Sequence, residues 1–110
     1  MTQITDTQLD KIFHCMADHT RRQILDQILS SPLTVNEIAE QHNMSLNAVS
    51  KHIKVMESAD LIHKRRQGRH IYCEVNLSPL DEMQKVIEYY KRFWTERFDA
   101  LEHYINKKKN

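Results

Sequence analysis

Residues 45–56 read SLNAVSKHIKVM, and the spacing of their apolar side chains indicates an amphipathic helix. Drawn as an α-helix, its apolar side chains fall within one arc of roughly 80°: Leu46, Val49, Ile53 and Met56. The opposite face carries small polar and basic side chains, with Ser50 and His52 on its flanks: Asn47, Lys51, Lys54 and Ser58. A helix fits the major groove of B-DNA when its outer face is slim, donates hydrogen bonds and is not acidic. The pattern therefore predicts a helix that docks on a core and faces DNA. Taken alone, it also fits a solvated surface helix.

The residues before this stretch predict a second short helix. TVNE at 34–37 matches a capping box, in which the Thr34 hydroxyl accepts from the Glu37 amide and Glu37 reaches back. A helix of about eight residues follows, with Val35, Ile38 and Ala39 inward. QHNM is a tight turn, and Ser45 is the next N-cap. Two short helices joined by such a turn predict a helix-turn-helix over residues 34–59.

Two further helices are expected upstream. Leu9, Ile12, Phe13 and Met16 recur at helical spacing and predict a helix over about residues 6–16. Asp18 is the expected N-cap of a second helix that ends near Ser30. Its buried stripe is expected to comprise Ile24, Leu25, Ile28 and Leu29. The segment SSPL then breaks the chain.

A β-hairpin is expected over residues 61–76, after the helix-turn-helix. HKRRQGRH at 63–70 separates two apolar stretches, and a loop centred on Gln67-Gly68 would pair Arg65 with His70. In that register Ile71, Cys73 and Val75 face inward. Four Lys or Arg and two His within eight residues make the tip cationic, as in the wing of a winged helix-turn-helix. The alternative is an ordinary charged hairpin tip.

The last helix is predicted over residues 79–106, with Ser78 as its cap. Its apolar residues fall in one arc about 140° wide, interrupted by Arg97. Such a stripe exceeds what the small body of helices can cover, and it predicts a twofold homodimer through the first and last helices. The predicted dimerisation residues are Leu9, Phe13, Leu80, Met83, Ile87, Tyr90, Trp94, Phe98 and Leu101. A helix folded back on its own domain is the alternative. The aromatic stripe could also line a small-molecule pocket between subunits.

Composition narrows the class of protein. The 110 residues carry 16 Lys or Arg and 15 Asp or Glu. Positive charge gathers in residues 45–76, which hold six Lys or Arg and three Asp or Glu. One glycine and two prolines leave little room for a phosphate loop or a nucleophile elbow, so we expect no enzyme. Two cysteines cannot form a disulfide framework, and the first residues do not read as a signal peptide. We expect a single cytoplasmic domain over residues 1–110.

Three segments together resemble the ArsR/SmtB family of winged-helix repressors. They are MADHTRRQIL, TVNEIAEQHNMSLNAVSKHIKVMESADLI and RRQGRHIYCEV, within roughly residues 9–77. The resemblance implies five helices plus a wing, mainly α with a small β-hairpin, and a homodimer that binds double-stranded DNA at a (pseudo)palindromic operator. It implies DNA contacts from the helix at Ser45, Asn47, Ala48, Ser50, Lys51, His52 and Lys54, and from the wing at Lys64, Arg65, Arg66 and Arg69.

The sequence also departs from that family. Many relatives sense metals through cysteines on the third helix, whereas this one reads TVNEIAEQH. The group His14, Cys15, Asp18 and His19 has ligand types, but it spans a helix junction, and we expect no metal and no cofactor. The inducing signal, which could be an unknown small-molecule effector, is left open. The alternative function is a winged-helix module that binds protein partners without a DNA role.

Overall fold

The computed structural model describes residues 6–108 and has α1, Asp6–Met16; α2, His19–Ser30; α3, Val35–His42; α4, Leu46–Ser58; and α5, Ser78–Lys108. Its strands are β1, Leu33–Thr34; β2, Ile62–Gln67; and β3, His70–Val75. They form an antiparallel sheet in the order β1-β3-β2. This is a winged helix-turn-helix, as the sequence predicts. None of the helices over residues 6–108 could span a lipid bilayer.

Three of the predicted N-caps are confirmed, whereas Ser78 is the first residue of α5 and not its cap. The Asp18 carboxylate accepts from the Arg21 amide at 2.9 Å, and Thr34 and Glu37 form the complete capping box. The Ser45 hydroxyl accepts from the Ala48 amide at 3.2 Å. These bonds satisfy amide groups that a helix start leaves without a partner. The turn between α3 and α4 is shorter than QHNM, because α3 continues to His42 and ends on Asn43 in the left-handed conformation.

The core lies between α1–α4 and the sheet. Its fully buried side chains include Ile12, Ile24, Ile38, Ile53 and Leu61. Two residues predicted for buried stripes are instead 52% exposed, namely Leu29 and Leu46. Each lies at the end of its helix, where the short neighbouring elements do not reach. Leu46 borders an open groove between α3 and α4 that also touches Ala39 and Met44.

The predicted hairpin register is wrong by two residues. Arg65 pairs with Tyr72, and Gln67 pairs with His70, so the loop is Gly68-Arg69. Gly68 has a φ of +63° and is the first loop residue. This is the position at which a type II′ turn favours glycine.

The short strand β1 is not predicted from the sequence, and its position explains why the prediction for Ile71 is wrong. β1 pairs Leu33 with Cys73 and Thr34 with Tyr72, so it covers the middle of β3 and does not reach Ile71. Cys73 is fully buried and Val75 packs against the core, as predicted. Ile71, predicted to face inward, lies beyond β1 and is 49% exposed.

The helix α5 projects from this body. It begins at Ser78, with Pro79 buried at its second residue, and runs two residues past the predicted end. Its first turns pack on the core through Leu80 and Met83. Its 31 residues span about 46 Å at 1.5 Å per residue, and the described chain measures 74 × 33 × 22 Å.

Candidate nucleic-acid interface

The helix α4 presents two chemically different faces. Val49, Ile53 and Met56 are at most 1% exposed and anchor it to the core. On the outer face, Asn47, Lys51 and Lys54 are exposed. The first turn of α4 contains no acidic residue. The helix therefore offers donors and positive charge to the solvent from a rigidly held position.

The remaining predicted contacts on α4 are placed less uniformly. Ser45 is exposed, but its hydroxyl already accepts from the backbone as the N-cap. Ala48 and Ser50 are half-buried at the sides of the outer face. The His52 side chain is 22% exposed and lies toward the α1–α2 junction, with Nδ1 3.4 Å from Nη1 of Arg21. His52 thus lies at the edge of the outer face.

An acidic residue at the base of the wing, Glu74, holds one arginine and one histidine of the hairpin. Glu74 accepts hydrogen bonds from Arg65 and from His63, the latter at 2.9 Å. The hydrogen bond from Arg65, followed by that from His63, holds the pKa of Glu74 below its usual range. Arg65 also donates to Gln67 at 2.8 Å and lies over the Tyr72 ring. Arg65 is therefore committed within the hairpin.

A second ion pair links the wing to α4. Nζ of Lys64 lies 3.3 Å from a carboxylate oxygen of Glu57, near the end of α4. This contact compensates the one acidic side chain within α4 and joins the wing to the helix. Lys64, a predicted DNA contact, is consequently paired with protein in the unbound chain.

Unpaired positive charge remains near the wing tip and on α4. Arg66 makes only a 3.5 Å contact to the Gly68 carbonyl, and Arg69 has no hydrogen bond or ion pair within residues 6–108. Lys51 and Lys54 are likewise unpaired in that part of the chain. We call Lys51, Lys54, Arg66 and Arg69 the free cations. Their charge is available to a polyanion without breaking an internal bond.

The predicted dimerisation residues divide into two groups. Leu9, Phe13, Leu80 and Met83 are half-buried where α1 meets the start of α5. The others lie exposed along α5: Ile87, Tyr90, Trp94, Phe98 and Leu101. An open groove of about 400 Å³ lies between the two helices, lined by Leu9, Glu82, Lys85, Val86, Tyr89 and Tyr90.

Both cysteines are inaccessible. Cys15 and Cys73 are fully buried, and burial raises the pKa of each thiol. Within residues 6–108 no three His, Cys, Asp or Glu side chains lie close enough together to hold a metal ion.

Sequence reasoning misses two residues that shape this surface. The pattern identifies Glu74 only as outward-facing, since its partners depend on a register that the loop residues do not fix. It places Arg21 only within an amphipathic helix, yet the guanidinium reaches His52 on α4. The order DHTRR gives one signal that could have identified Arg21. An arginine three residues after the N-cap Asp18 lies close to the junction between α1 and α2.

The fold and this surface define a class, the winged helix-turn-helix regulators that bind DNA. Residues 16–65 match the family described as "Helix-turn-helix domain". The transcriptional repressor SdpR of Bacillus subtilis (strain 168) is 32% identical over 74 residues, which cover 67% of this chain and 82% of that protein.

Solved structures indicate the same class of protein. The crystal structure of an ArsR family transcriptional regulator is 32% identical, with a TM-score of 0.76, and covers 86% of this chain and 97% of that chain. A second solved structure is the solution structure of a protein from Mycobacterium bovis, described as a homodimeric winged helix-turn-helix DNA-binding domain. It has a TM-score of 0.63 at 21% sequence identity, and the match covers 84% of this chain and 91% of that chain. The chain belongs to the ArsR family, and it is a DNA-binding transcriptional regulator.

Proposed function

We propose that the protein is a homodimeric repressor that inserts α4 into the major groove and holds flanking phosphates with its wing. The observation that carries this proposal is the position of the free cations, on α4 and the wing tip, with the nearby acids Glu57 and Glu74 already paired. A polyanion that approaches the free cations finds the carboxylates of Glu57 and Glu74 already compensated by Lys64 and Arg65.

The two parts of the surface suit different tasks. Asn47 and Ser50 are short polar side chains on α4, of the kind that hydrogen-bond to base edges. Arg66 and Arg69 extend from a hairpin tip, where a charge can follow the phosphate backbone. We therefore assign sequence preference mainly to Asn47 and Ser50, and general affinity mainly to Lys51 and the two arginines near the wing tip.

The homodimer is supported by the exposed stripe on α5. Trp94, Phe98 and Leu101 are each more than half exposed in the single chain, and such a continuous apolar strip is a candidate for burial against another surface. A twofold interface through α5, flanked by α1, would cover the strip with its own copy. The solved structure of the same fold that is described as homodimeric supports a dimer.

A twofold dimer also predicts the form of the operator. Two symmetric copies of α4 would read two half-sites about one helical turn apart, or about 34–36 Å, on a palindromic sequence. Repression, the activity named for SdpR, fits a dimer that occupies such a site. We expect it to act in the cytoplasm, and a small-molecule effector stays a prediction.

Selection of bound duplexes from a random-sequence pool tests the proposal. We expect an enriched palindrome whose half-sites are one turn apart. Asn47→Ala and Ser50→Ala should then broaden the selected sequence, while the affinity for unselected duplex changes less. The proposal fails if no sequence is enriched and the protein does not bind duplex DNA even at low salt.

A further inference from the structure

The junction between α1 and α2 is built around the guanidinium of Arg21. Its Nε donates to the Cys15 carbonyl at 2.9 Å, and its Nη2 donates to the His14 carbonyl at 2.9 Å. Both carbonyls belong to the last turn of α1, where a helix leaves acceptors without a partner. Two bonds to backbone fix the plane of the guanidinium, so the direction of its remaining N–H groups is also fixed.

One of those remaining groups faces α4. Nη1 of Arg21 lies 3.4 Å from Nδ1 of His52, and a carboxylate oxygen of Asp18 lies 4.0 Å from the same nitrogen. Arginine has donors and no acceptor, so a hydrogen bond between this pair requires an unprotonated Nδ1. A proton on Nδ1 would face the arginine charge, and Asp18 is too distant to accept it. Of the two neutral tautomers of His52, this contact therefore favours the one with its proton on Nε2.

The other ring nitrogen is available. Nε2 of His52 forms no hydrogen bond within residues 6–108, and it is not among the buried polar atoms that lack a partner. His52 follows Lys51 on α4 and precedes the buried Ile53, so it lies at the border between the outer face and the core. A side chain at that border faces the wall of a groove rather than its floor when the helix lies on DNA.

We propose that Arg21 is a positioning residue that selects the Nε2–H tautomer of His52, and that this N–H donates to a phosphate oxygen at the edge of the groove. The inference rests on the proposed placement of α4 on DNA. It assigns Arg21 a role in recognition although its guanidinium is directed into the protein. The contact would add a hydrogen bond without adding a charge, which distinguishes it from the contacts of the free cations.

The tautomer can be measured in the free protein. A long-range ¹H–¹⁵N correlation spectrum of the imidazole groups separates the two neutral tautomers, and His52→Gln identifies the His52 signals among the seven histidines. We expect Nε2–H in the parent protein above neutral pH and a shift toward a mixture in Arg21→Met. Nδ1–H in the parent protein, or the same spectrum in Arg21→Met, would overturn the assignment.

The phosphate contact is tested by titrating a fluorescent random-sequence duplex. His52→Phe should lower the affinity by roughly three- to tenfold, as for one lost hydrogen bond, with an unchanged salt slope. His52→Gln keeps an amide donor and should recover much of the loss. These two variants leave the Arg21 bonds to α1 in place, so the test does not depend on a variant that could unfold.

Arg22 provides the matched control for Arg21. It also donates to a carbonyl at the end of α1, that of Met16 at 2.7 Å, but no contact joins it to His52 in the described chain. Arg21→Met should weaken binding in the parent protein and have little further effect in His52→Phe, whereas Arg22→Met should act equally in both. Equal affinities of His52→Phe, His52→Gln and the parent would overturn the phosphate contact. If the parent binds no duplex, the proposed function fails as well, while the tautomer assignment is decided separately by the spectra.

Discussion

Glu74 shows how one residue can adjust the charge of a whole surface. It holds Arg65 and His63 by hydrogen bonds, while the free cations Arg66 and Arg69 extend beyond its reach. Four basic residues in the wing therefore do not mean four phosphate contacts. The free protein already neutralises part of its positive charge with its own carboxylates, which limits indiscriminate binding to DNA.

Removal of this carboxylate should strengthen binding to any duplex. Glu74→Gln frees Arg65 for a phosphate, so the affinity for a random-sequence duplex should rise and its salt dependence should steepen by about 0.9 for each further phosphate neutralised. Glu82→Gln is the matched control, since Glu82 pairs with Lys85 on α5, away from the surface. Fluorescence anisotropy over a range of salt measures both. Equal effects of the two variants would show that net charge alone acts.

Among the helices and strands, helix starts are the most predictable features. Asp18, Thr34 and Ser45 each cap the helix that the sequence assigns to them, because a cap depends on residues three apart. The hairpin register depends on the turn type, which QGR alone does not fix. The exposure of Ile71 and Leu46 depends on how far neighbouring elements extend, and periodicity carries no information about that.

The cap at Asp18 should make part of the stability depend on pH. The hydrogen bond from the Arg21 amide is the main cause that lowers the pKa of Asp18 in the folded chain. When the pKa of a carboxyl group is lower in the folded chain than in the unfolded chain, the group stabilises the fold fully at pH values above its pKa in the unfolded chain. This contribution is lost as the pH falls through its pKa in the folded chain. Asp18→Ala should cost roughly 1 kcal/mol at neutral pH and progressively less in acid.

Urea unfolding at a series of pH values measures this effect. Asp18→Asn keeps a capping acceptor that does not titrate, so its stability relative to Asp18→Ala should not change with pH. A difference between the parent protein and Asp18→Ala that stays constant into strong acid would contradict the assigned role of the cap.

Across the molecule as a whole, the exposed stripe on α5 is the feature that a single chain leaves unexplained. Trp94→Ala should weaken the proposed dimer by roughly 30-fold or more, as expected for a central interface aromatic that contributes about 2 kcal/mol or more. Arg92→Ala changes the opposite side of the same helix and should leave association unaltered. Sedimentation equilibrium distinguishes the two. A parent protein that stays monomeric at micromolar concentration would contradict the dimer.

The class of fold and the cationic surface are predictable from the sequence, since both follow from local patterns along the chain. Which charges are already paired is not, because Glu57 meets Lys64 and Glu74 meets Arg65 only after folding. The sequence alone offers every basic residue of this surface as a phosphate contact. Because the structure shows which of them are unpaired, we propose the free cations for that role.

The free cations are proposed to meet the phosphates of DNA, and the salt dependence of duplex binding is the decisive measurement of that contact. Lys51→Ala and Arg66→Ala should each reduce the slope of log affinity against log salt by about 0.9 per phosphate no longer neutralised, or about 1.8 for a dimer. Arg92→Ala removes an equal charge from α5 and should leave the slope unchanged. Unchanged slopes in the first two variants, or an equal change in the third, would contradict the proposed role of the free cations.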